Sequence, residues 1–191
     1  MSPLGHLSIS YVIGNISKKL IFPAVIIGGL LPDVDFFLLL FPWFNQIHRV
    51  ITHNLFFILL ISLSGIILTR KDIKIAVFIS LFAGGILHLL VDSCMDSNPS
   101  NGMGITWFWP LSYKHYLFFN LISPSSAKTN WNEPLLMLKS SVHYLILEVP
   151  FCLIAGAIFI IKLKKNMTLI TRPLLPQGEE EKIPPTHEGK K

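Results

Sequence analysis

Two long apolar stretches, residues 75–91 and 142–163, constrain this chain most strongly. Each is close to the roughly 20 residues that a helix needs to cross the hydrocarbon core of a membrane, and a third stretch, residues 54–69, is shorter. The chain is 51% hydrophobic and only 14% charged, which is too apolar for an ordinary soluble domain. We therefore expect an integral membrane protein.

The apolar pattern predicts an all-α fold, a polytopic membrane helix bundle. Residues 20–31 are apolar but short, and Pro32 with Asp33 and Asp35 separates them from the apolar residues 36–44. This pattern indicates a broken or re-entrant segment, which membranes tolerate only where protein or a wet cavity surrounds it. Residues 93–141 are rich in Ser, Asn and Pro and predict a long polar loop.

Two parts of the chain differ in composition. Residues 1–165 are predicted to form one membrane-embedded domain, and the prolines and charges of residues 166–191 predict a disordered polar tail. The net charge of +5 comes from loops and tail, so we expect no nucleic-acid partner. The oligomeric state is left open.

Lysine and arginine placement predicts an orientation in the cell (inner) membrane. Arg70, Lys71 and Lys74 connect two spans, and further lysines follow the last span, so both groups should be cytoplasmic. The polar motifs would then lie at the opposite, non-cytoplasmic end. Lys18 and Lys19 have no assigned place in this arrangement.

Histidines and acids recur at the ends of the apolar stretches, where an ionisable group is costly and often functional. Asp33 and Asp35 lie in PDVDF, His48, Arg49 and His53 in HRVITH, and His88 and Asp92 in HLLVD, while His6 lies near the start of the chain. Each motif alone has a structural explanation, as a turn, a polar loop or an internal hydrogen bond. Their recurrence at one predicted end of the bundle favours a single site.

The spacing within the motifs limits how they can converge. His88 and Asp92 are four residues apart and so about 40° apart on a helix, which lets both face one ion. His48 and His53 are five apart, about 140°, and cannot both do so from an unbroken helix. We therefore predict that Thr52 caps a helix starting at His53 and leaves His48 in the preceding loop.

The motifs, together with GGLLPDVDF, GGILHLLVD and a downstream WPL, resemble the YdjM-like, LexA-regulated inner-membrane proteins described as metal-dependent hydrolases. The resemblance runs from His6 to about Tyr116. It implies a polar centre with Arg49 and Thr52 beside it, formed by seven residues: His6, Asp33, Asp35, His48, His53, His88 and Asp92.

Imidazole and carboxylate ligands together favour a divalent transition metal, Zn, Mn or Fe, over Mg or Ca alone. Seven candidate ligands exceed one tetrahedral site, so we hypothesise two ions with Asp35 or Asp92 bridging them. A metal-activated water would attack a phosphoester or ester of a lipid or lipid-linked substrate. We assign the catalytic roles to Arg49, Thr52 and His53, with His115 as another possible proton donor to the leaving group.

An alternative function uses the same cluster as a transporter or a conduit for metal ions or protons. Such a protein needs polar groups near the membrane midplane with access from both sides, whereas these motifs gather at one end. Glu148, inside the last apolar stretch, is the exception; it is either a further ligand or a structural partner of His143.

Overall fold

The computed structural model describes residues 1–38, 41, 43–95, 104–119 and 134–170, and its regular elements are helices. They are α1 (Pro3–Ile16), α2 (Phe22–Leu30), a 3-10 helix (Leu31–Leu38), α3 (Phe44–Ile47), α4 (Leu55–Leu68), α5 (Lys74–Cys94) and α6 (Pro134–Ile170). Within these described ranges no strand forms, and Ile105 and Tyr116 make an isolated bridge. The predicted all-α bundle with a broken N-terminal segment is confirmed.

Two of the helices are long and apolar enough to cross a membrane. They are α5 and the part of α6 from Ile146 to Asn166, while α4 is apolar but shorter. These helices correspond to the three apolar stretches of the sequence. The bundle therefore has the dimensions of a polytopic membrane protein.

The predicted break after α2 is a change of helix type. Pro32 has no backbone N–H to continue the α-helical hydrogen bonds, and the chain tightens into the 3-10 helix that carries Asp33 and Asp35. Both carboxylates are buried there. The break thus places two acids inside the bundle at the end of α2.

Glycines bring α2 and α5 into close contact. A Cβ atom on Gly28 would lie 2.2 Å from the carbonyl oxygen of Leu81, and one on Gly84 would lie 2.3 Å from that of Val25. Neither backbone oxygen can move aside without displacing its helix. The two helices can therefore approach this closely only because both positions lack a side chain.

The helical hairpin of α4 and α5 begins two residues later than predicted, at Leu55 instead of His53. Asn54, not Thr52, is the N-cap of α4, and its side chain accepts a hydrogen bond of 2.8 Å from the Phe57 N–H. The prediction of a Thr52 cap and a helix starting at His53 was wrong because the Thr52 hydroxyl is bonded to Asp35 instead. His53 consequently remains in the loop.

The polar loop ends earlier than predicted. Its described part, residues 104–119, packs on the end of the bundle, where the Trp107 indole donates to the Ser93 hydroxyl at 2.7 Å. The loop was predicted to reach residue 141, but α6 already begins at Pro134. Proline is favoured in the first turn of a helix and the leucines after it are good helix formers, which explains the earlier start. The predicted tail beyond residue 170 lies outside the described residues, and residues 166–170 are helical.

The bundle has two chemically different ends. The His and Asp motifs lie where α1 and α4 begin and where α2 and α5 end. Contacts of Glu148 with Ser2 and of Lys162 with Asn15 show that α6 runs in the same direction as α1. Eight cations therefore gather at the opposite end, with Asp72 the one acid described there: Lys18, Lys19, Arg70, Lys71, Lys74, Lys162, Lys164 and Lys165.

Candidate metal centre

Seven buried or half-buried side chains meet at the end of the bundle opposite the cations. Among the described residues they form three groups, and within each group one possible ligand atom of every member lies within 4.8 Å of the others. The groups are His6, His88 and Asp92; Asp33, His53 and His88; and Asp35, His48 and His53. These are the seven residues predicted as ligands from the sequence. The structure thus brings motifs from four chain segments to one place.

His88 presents one ring nitrogen to this centre and uses the other to fix its orientation. Its Nδ1 donates a hydrogen bond of 2.8 Å to the carbonyl oxygen of Gly29, an arrangement typical of histidines that bind metals. Its Nε2 lies 3.5 Å from Asp92 Oδ2, one turn further along α5, and 3.7 Å from Asp33 Oδ1. A neutral His88 therefore directs its lone pair toward two carboxylates.

Thr52 orients His53 in a similar way. The Thr52 hydroxyl donates a hydrogen bond of 2.9 Å to Asp35 Oδ2. Because its proton is used there, the Thr52 oxygen accepts a hydrogen bond of 3.0 Å from His53 Nδ1–H. The other nitrogen of His53, Nε2, lies 3.4 Å from Asp92 Oδ2 and 3.5 Å from Asp33 Oδ1. Burial alone would lower the pKa of His53, but these two carboxylates raise it to about 9. The centre therefore favours positive charge at this point.

Hydrogen bonds from outside the loop hold residues 48–53 in place. The Asn54 amide donates to the carbonyl oxygens of Val50 and Ile51, both at 2.7 Å. Thr106, which is fully buried in the 104–119 loop, donates to the carbonyl oxygen of Arg49 at 3.2 Å. The polar loop therefore supports the centre, although it contributes no member of the three groups.

Arg49 has a strained backbone beside the centre. Its φ is 68°, in the left-handed region that non-glycine residues rarely adopt. Such a conformation costs on the order of 1–3 kcal/mol and persists only where the surroundings enforce it. Next to it, His48 Nδ1–H donates to Asp35 Oδ2 at 3.0 Å. The strained residue is thus the cation that directly follows the candidate ligand His48 in the chain.

His6 completes the cluster from the first turns of α1. Its Nε2 lies 3.0 Å from Asp92 Oδ1, and its ring stacks on that of His88 with centroids 3.7 Å apart. The Met1 nitrogen lies 2.9 Å from the same Asp92 oxygen. Asp92 therefore contacts groups from both α1 and its own helix.

The chemistry of the donor set fits a metal ion. Of the five buried side-chain atoms that lack a hydrogen-bond partner among the described residues, four belong to the three groups, and the fifth is His115 Nε2: the four are Asp33 Oδ2, Asp35 Oδ1, His53 Nε2 and His88 Nε2. An unsatisfied buried polar group costs about 1–3 kcal/mol, and carboxylates crowded together repel one another unless a cation lies between them. These buried His and Asp groups are therefore positioned to hold a metal ion.

Two other residues considered from the sequence lie apart from the groups. Glu148 accepts hydrogen bonds from the backbone N–H of Ser2, at 2.6 Å, and from its hydroxyl, so it joins α6 to the start of α1. His115 belongs to none of the three groups. Asp96, a possible additional acid, lies outside the described residues. Glu148 therefore has a structural partner in Ser2, while the side chain of His143, the partner predicted from the sequence, lies outside the described part of the structure.

Sequence reasoning missed the residues that orient the ligands. The carbonyl of Gly29 and the hydroxyl of Thr106 reach the centre only after helices α2 and α5 and the polar loop have packed. A main-chain carbonyl leaves no mark in a sequence, and one threonine in a polar loop is not distinctive. Only the tertiary structure reveals these two contacts.

Comparison with known proteins identifies the family. The model described as YdjM inner membrane protein matches residues 1–166, most of the chain. The chain therefore belongs to the family of YdjM inner membrane proteins, and it is a membrane protein. Neither the search of curated proteins nor the search of solved structures gave a match.

Proposed function

We propose that this member of the YdjM inner membrane protein family is a metal-dependent hydrolase acting on a phosphoester or ester of a lipid or lipid-linked substrate. The observation that carries the proposal is the cluster of four histidines and three aspartates, with four buried atoms that lack a hydrogen-bond partner. Such atoms are costly unless they bind something. Their position at one end of a membrane bundle gives them access to lipid headgroups.

The ligand types favour Zn, Mn or Fe, since imidazole and carboxylate together suit these ions. The first group, His6 with His88 and Asp92, shares no residue with the third, Asp35 with His48 and His53. Two ions can therefore be held without sharing an imidazole. The grouping favours Asp33 as the carboxylate between them, in place of the Asp35 or Asp92 suggested by the sequence, because Asp33 belongs only to the middle group.

The chain's own residues would perform several tasks in such a reaction. A bound divalent metal supplies Lewis acidity and an acidic water near neutral pH. Arg49 would bind the anionic part of the substrate, since its guanidinium is permanently charged and suits phosphate. Asp35 accepts the hydrogen bond from His48 Nδ1–H and so would orient that imidazole. These tasks require no movement of the buried core.

The structure favours a positioning role for Thr52 over the catalytic role predicted for it. Its hydroxyl already bonds Asp35 and His53, so it acts through these two side chains. His53 was assigned both as ligand and as catalytic residue, but it has one nitrogen, Nε2, available for either task. We assign that nitrogen to the metal.

Metal analysis of the full chain tests the proposal. We expect the detergent-purified protein to contain at least one transition metal per chain by mass spectrometry, and a His48→Ala/His88→Ala variant to lose it. His115→Ala is the matched control, since it removes a histidine outside the three groups, and it should keep the metal. Absence of metal from the wild type, or equal loss from the control, would contradict the proposal. A phosphoester screen of the metal-loaded protein then tests turnover.

The placement of the groups at one end supports this function over the alternative of an ion conduit. A conduit needs ionisable groups that continue toward the opposite surface. Below the centre, the backbones of α2 and α5 pack closely at Gly28 and Gly84. The closely packed glycines argue against a wet path between these helices.

We further propose that the centre faces the non-cytoplasmic side. The structure gives Lys18 and Lys19 a place, in the connection between α1 and α2 at the same end as the other cations. Eight cations at one end favour a cytoplasmic position for it. In a chain whose native cysteines are replaced, an impermeant maleimide should label Leu111→Cys from outside the membrane and Lys71→Cys only after permeabilisation. The reverse pattern would place the centre in the cytoplasm.

A further inference from the structure

An apolar groove opens beside the metal centre, between the start of α1 and the outer face of α2. It has a volume of about 550 Å³, and its walls include Pro3, Ile26, Val34 and Phe37. Asp33 is the one charged residue in its lining. The groove therefore joins an apolar surface directly to a carboxylate of the candidate centre.

A second apolar cavity, of about 380 Å³, continues from the first along α2. Ile27 and Leu31 line both cavities, so the two lie next to each other along α2, and we call them together the α2 groove. Its far part lies between α2, α4 and α5 and reaches Ile21 and Leu68 near the basic end. No charged residue lines this second part. The lining of the α2 groove is thus charged only where it meets the centre.

The length of the α2 groove suits a single acyl chain. From Leu31 to Ile21 is ten residues, which corresponds to about 15 Å at 1.5 Å per residue. The hydrocarbon core of a membrane is about 30 Å thick, so one leaflet contributes about 15 Å. The volume of the first cavity also lies within the roughly 300–1,000 Å³ of ordinary ligand sites. An acyl chain of about this length, extending from the centre, would be buried along α2.

We propose that the α2 groove binds one acyl chain of a membrane lipid whose phosphate-containing head lies at the metal centre. The proposal rests on the proposed function and narrows its substrate to a lipid that enters sideways from the membrane. Asp33 at the mouth would repel an anionic head unless the centre holds cations, so the orientation of the lipid depends on a loaded centre. Ile27 is the key wall residue because both cavities share it and its side chain is about half exposed, 49%.

Photo-crosslinking of the full chain tests this proposal. The protein is reconstituted into phosphatidylcholine vesicles containing a small fraction of phosphatidic acid with a diazirine at the end of one acyl chain. We expect the label on α4 near Ile61 and Leu68, at the far end of the groove, to exceed the label on the outer face of α6. Ile27→Trp, which fills the groove, should reduce the α4 label at least fivefold. Leu153→Trp adds the same side chain to exposed α6 and should leave that label unchanged.

The possible outcomes separate this proposal from the proposed function. Equal labelling of α4 and α6, or an α4 label that Ile27→Trp does not change, would overturn the groove. Label concentrated at Val34 and Phe37 would show that the end of the acyl chain lies beside the centre, and it would overturn the proposed position of the head. If circular dichroism showed that the Ile27→Trp protein is unfolded, Ile27→Ala would serve as the second variant. Because alanine widens the groove, the α4 label of this variant should exceed that of the wild type. Metal content measured on the same samples tests the proposed function separately: an α4 label in a protein without metal would reject that function and the position of the head at a metal, whereas the acyl chain in the α2 groove would stand.

Discussion

Thr52→Val would show whether the orientation of His53 controls metal affinity. Valine has nearly the same shape as threonine but neither donates nor accepts a hydrogen bond. The change removes the 3.0 Å acceptor of His53 Nδ1–H and one of two donors to Asp35 Oδ2, while His48 keeps its own bond to that oxygen. The imidazole thus loses the contact that fixes its tautomer.

The magnitude follows from two independent estimates. Leaving a buried donor such as His53 Nδ1–H without a partner costs about 1–3 kcal/mol. Loss of a side chain that orients a metal-binding histidine lowers metal affinity by about 10–100-fold, which is about 1.4–2.8 kcal/mol at 1.4 kcal/mol per tenfold. The two ranges overlap, so we expect the dissociation constant for Zn²⁺ to rise by about 10–100-fold.

Chelator competition on the purified protein measures this constant. Thr52→Ser is the matched control because it keeps the hydroxyl, and its affinity should stay within about threefold of the wild type. Circular dichroism and thermal unfolding establish that both variants are folded. A folded Thr52→Val protein with wild-type Zn²⁺ affinity would refute the argument that Thr52 sets the orientation of His53.

Three further changes probe other features. Arg49→Gly removes the guanidinium and suits the φ of 68°, so metal content should be unchanged while turnover of a phosphoester falls at least tenfold; loss of metal would contradict the assigned role. Gly28→Ala should lower the melting temperature and metal content together, whereas Gly156→Ala, with nothing within 4 Å of its added methyl group, should change neither. Glu148→Gln weakens the two charge-assisted bonds from Ser2 and should lower the melting temperature without reducing bound metal; metal loss would make Glu148 part of the centre.

The sequence predicted the centre better than it predicted the local structure around it. The pairing of His88 with Asp92 follows from helical geometry, and the meeting of separate motifs follows from the high cost of ionisable groups in a membrane. The prediction of a Thr52 cap was wrong because Thr52 and Asn54 are both suitable N-cap residues for α4. The hydroxyl of Thr52 instead bonds to Asp35, which is 17 residues away. Local preference cannot weigh such a distant partner.

The ends of the elements were the other point where the sequence misled. The helix of α6 extends back to Pro134 through residues whose composition is typical of a loop as well as of a helix. Lys18 and Lys19 could not be placed because the short α2 gave no firm membrane span. Their position follows from the antiparallel packing of α1 and α2, because both lysines lie in the connection between these helices.

The close packing of α2 on α5 at Gly28 and Gly84 sets an order of events in biogenesis. The carbonyl of Gly29 reaches His88 only when α2 and α5 are this close, and a methyl group at either of the two glycines would separate them. A newly inserted chain, with its helices in the lipid but not yet packed, therefore has no finished site to load. Metal uptake would follow assembly of the bundle, and a protein that holds metal would be one whose helices have already packed against one another.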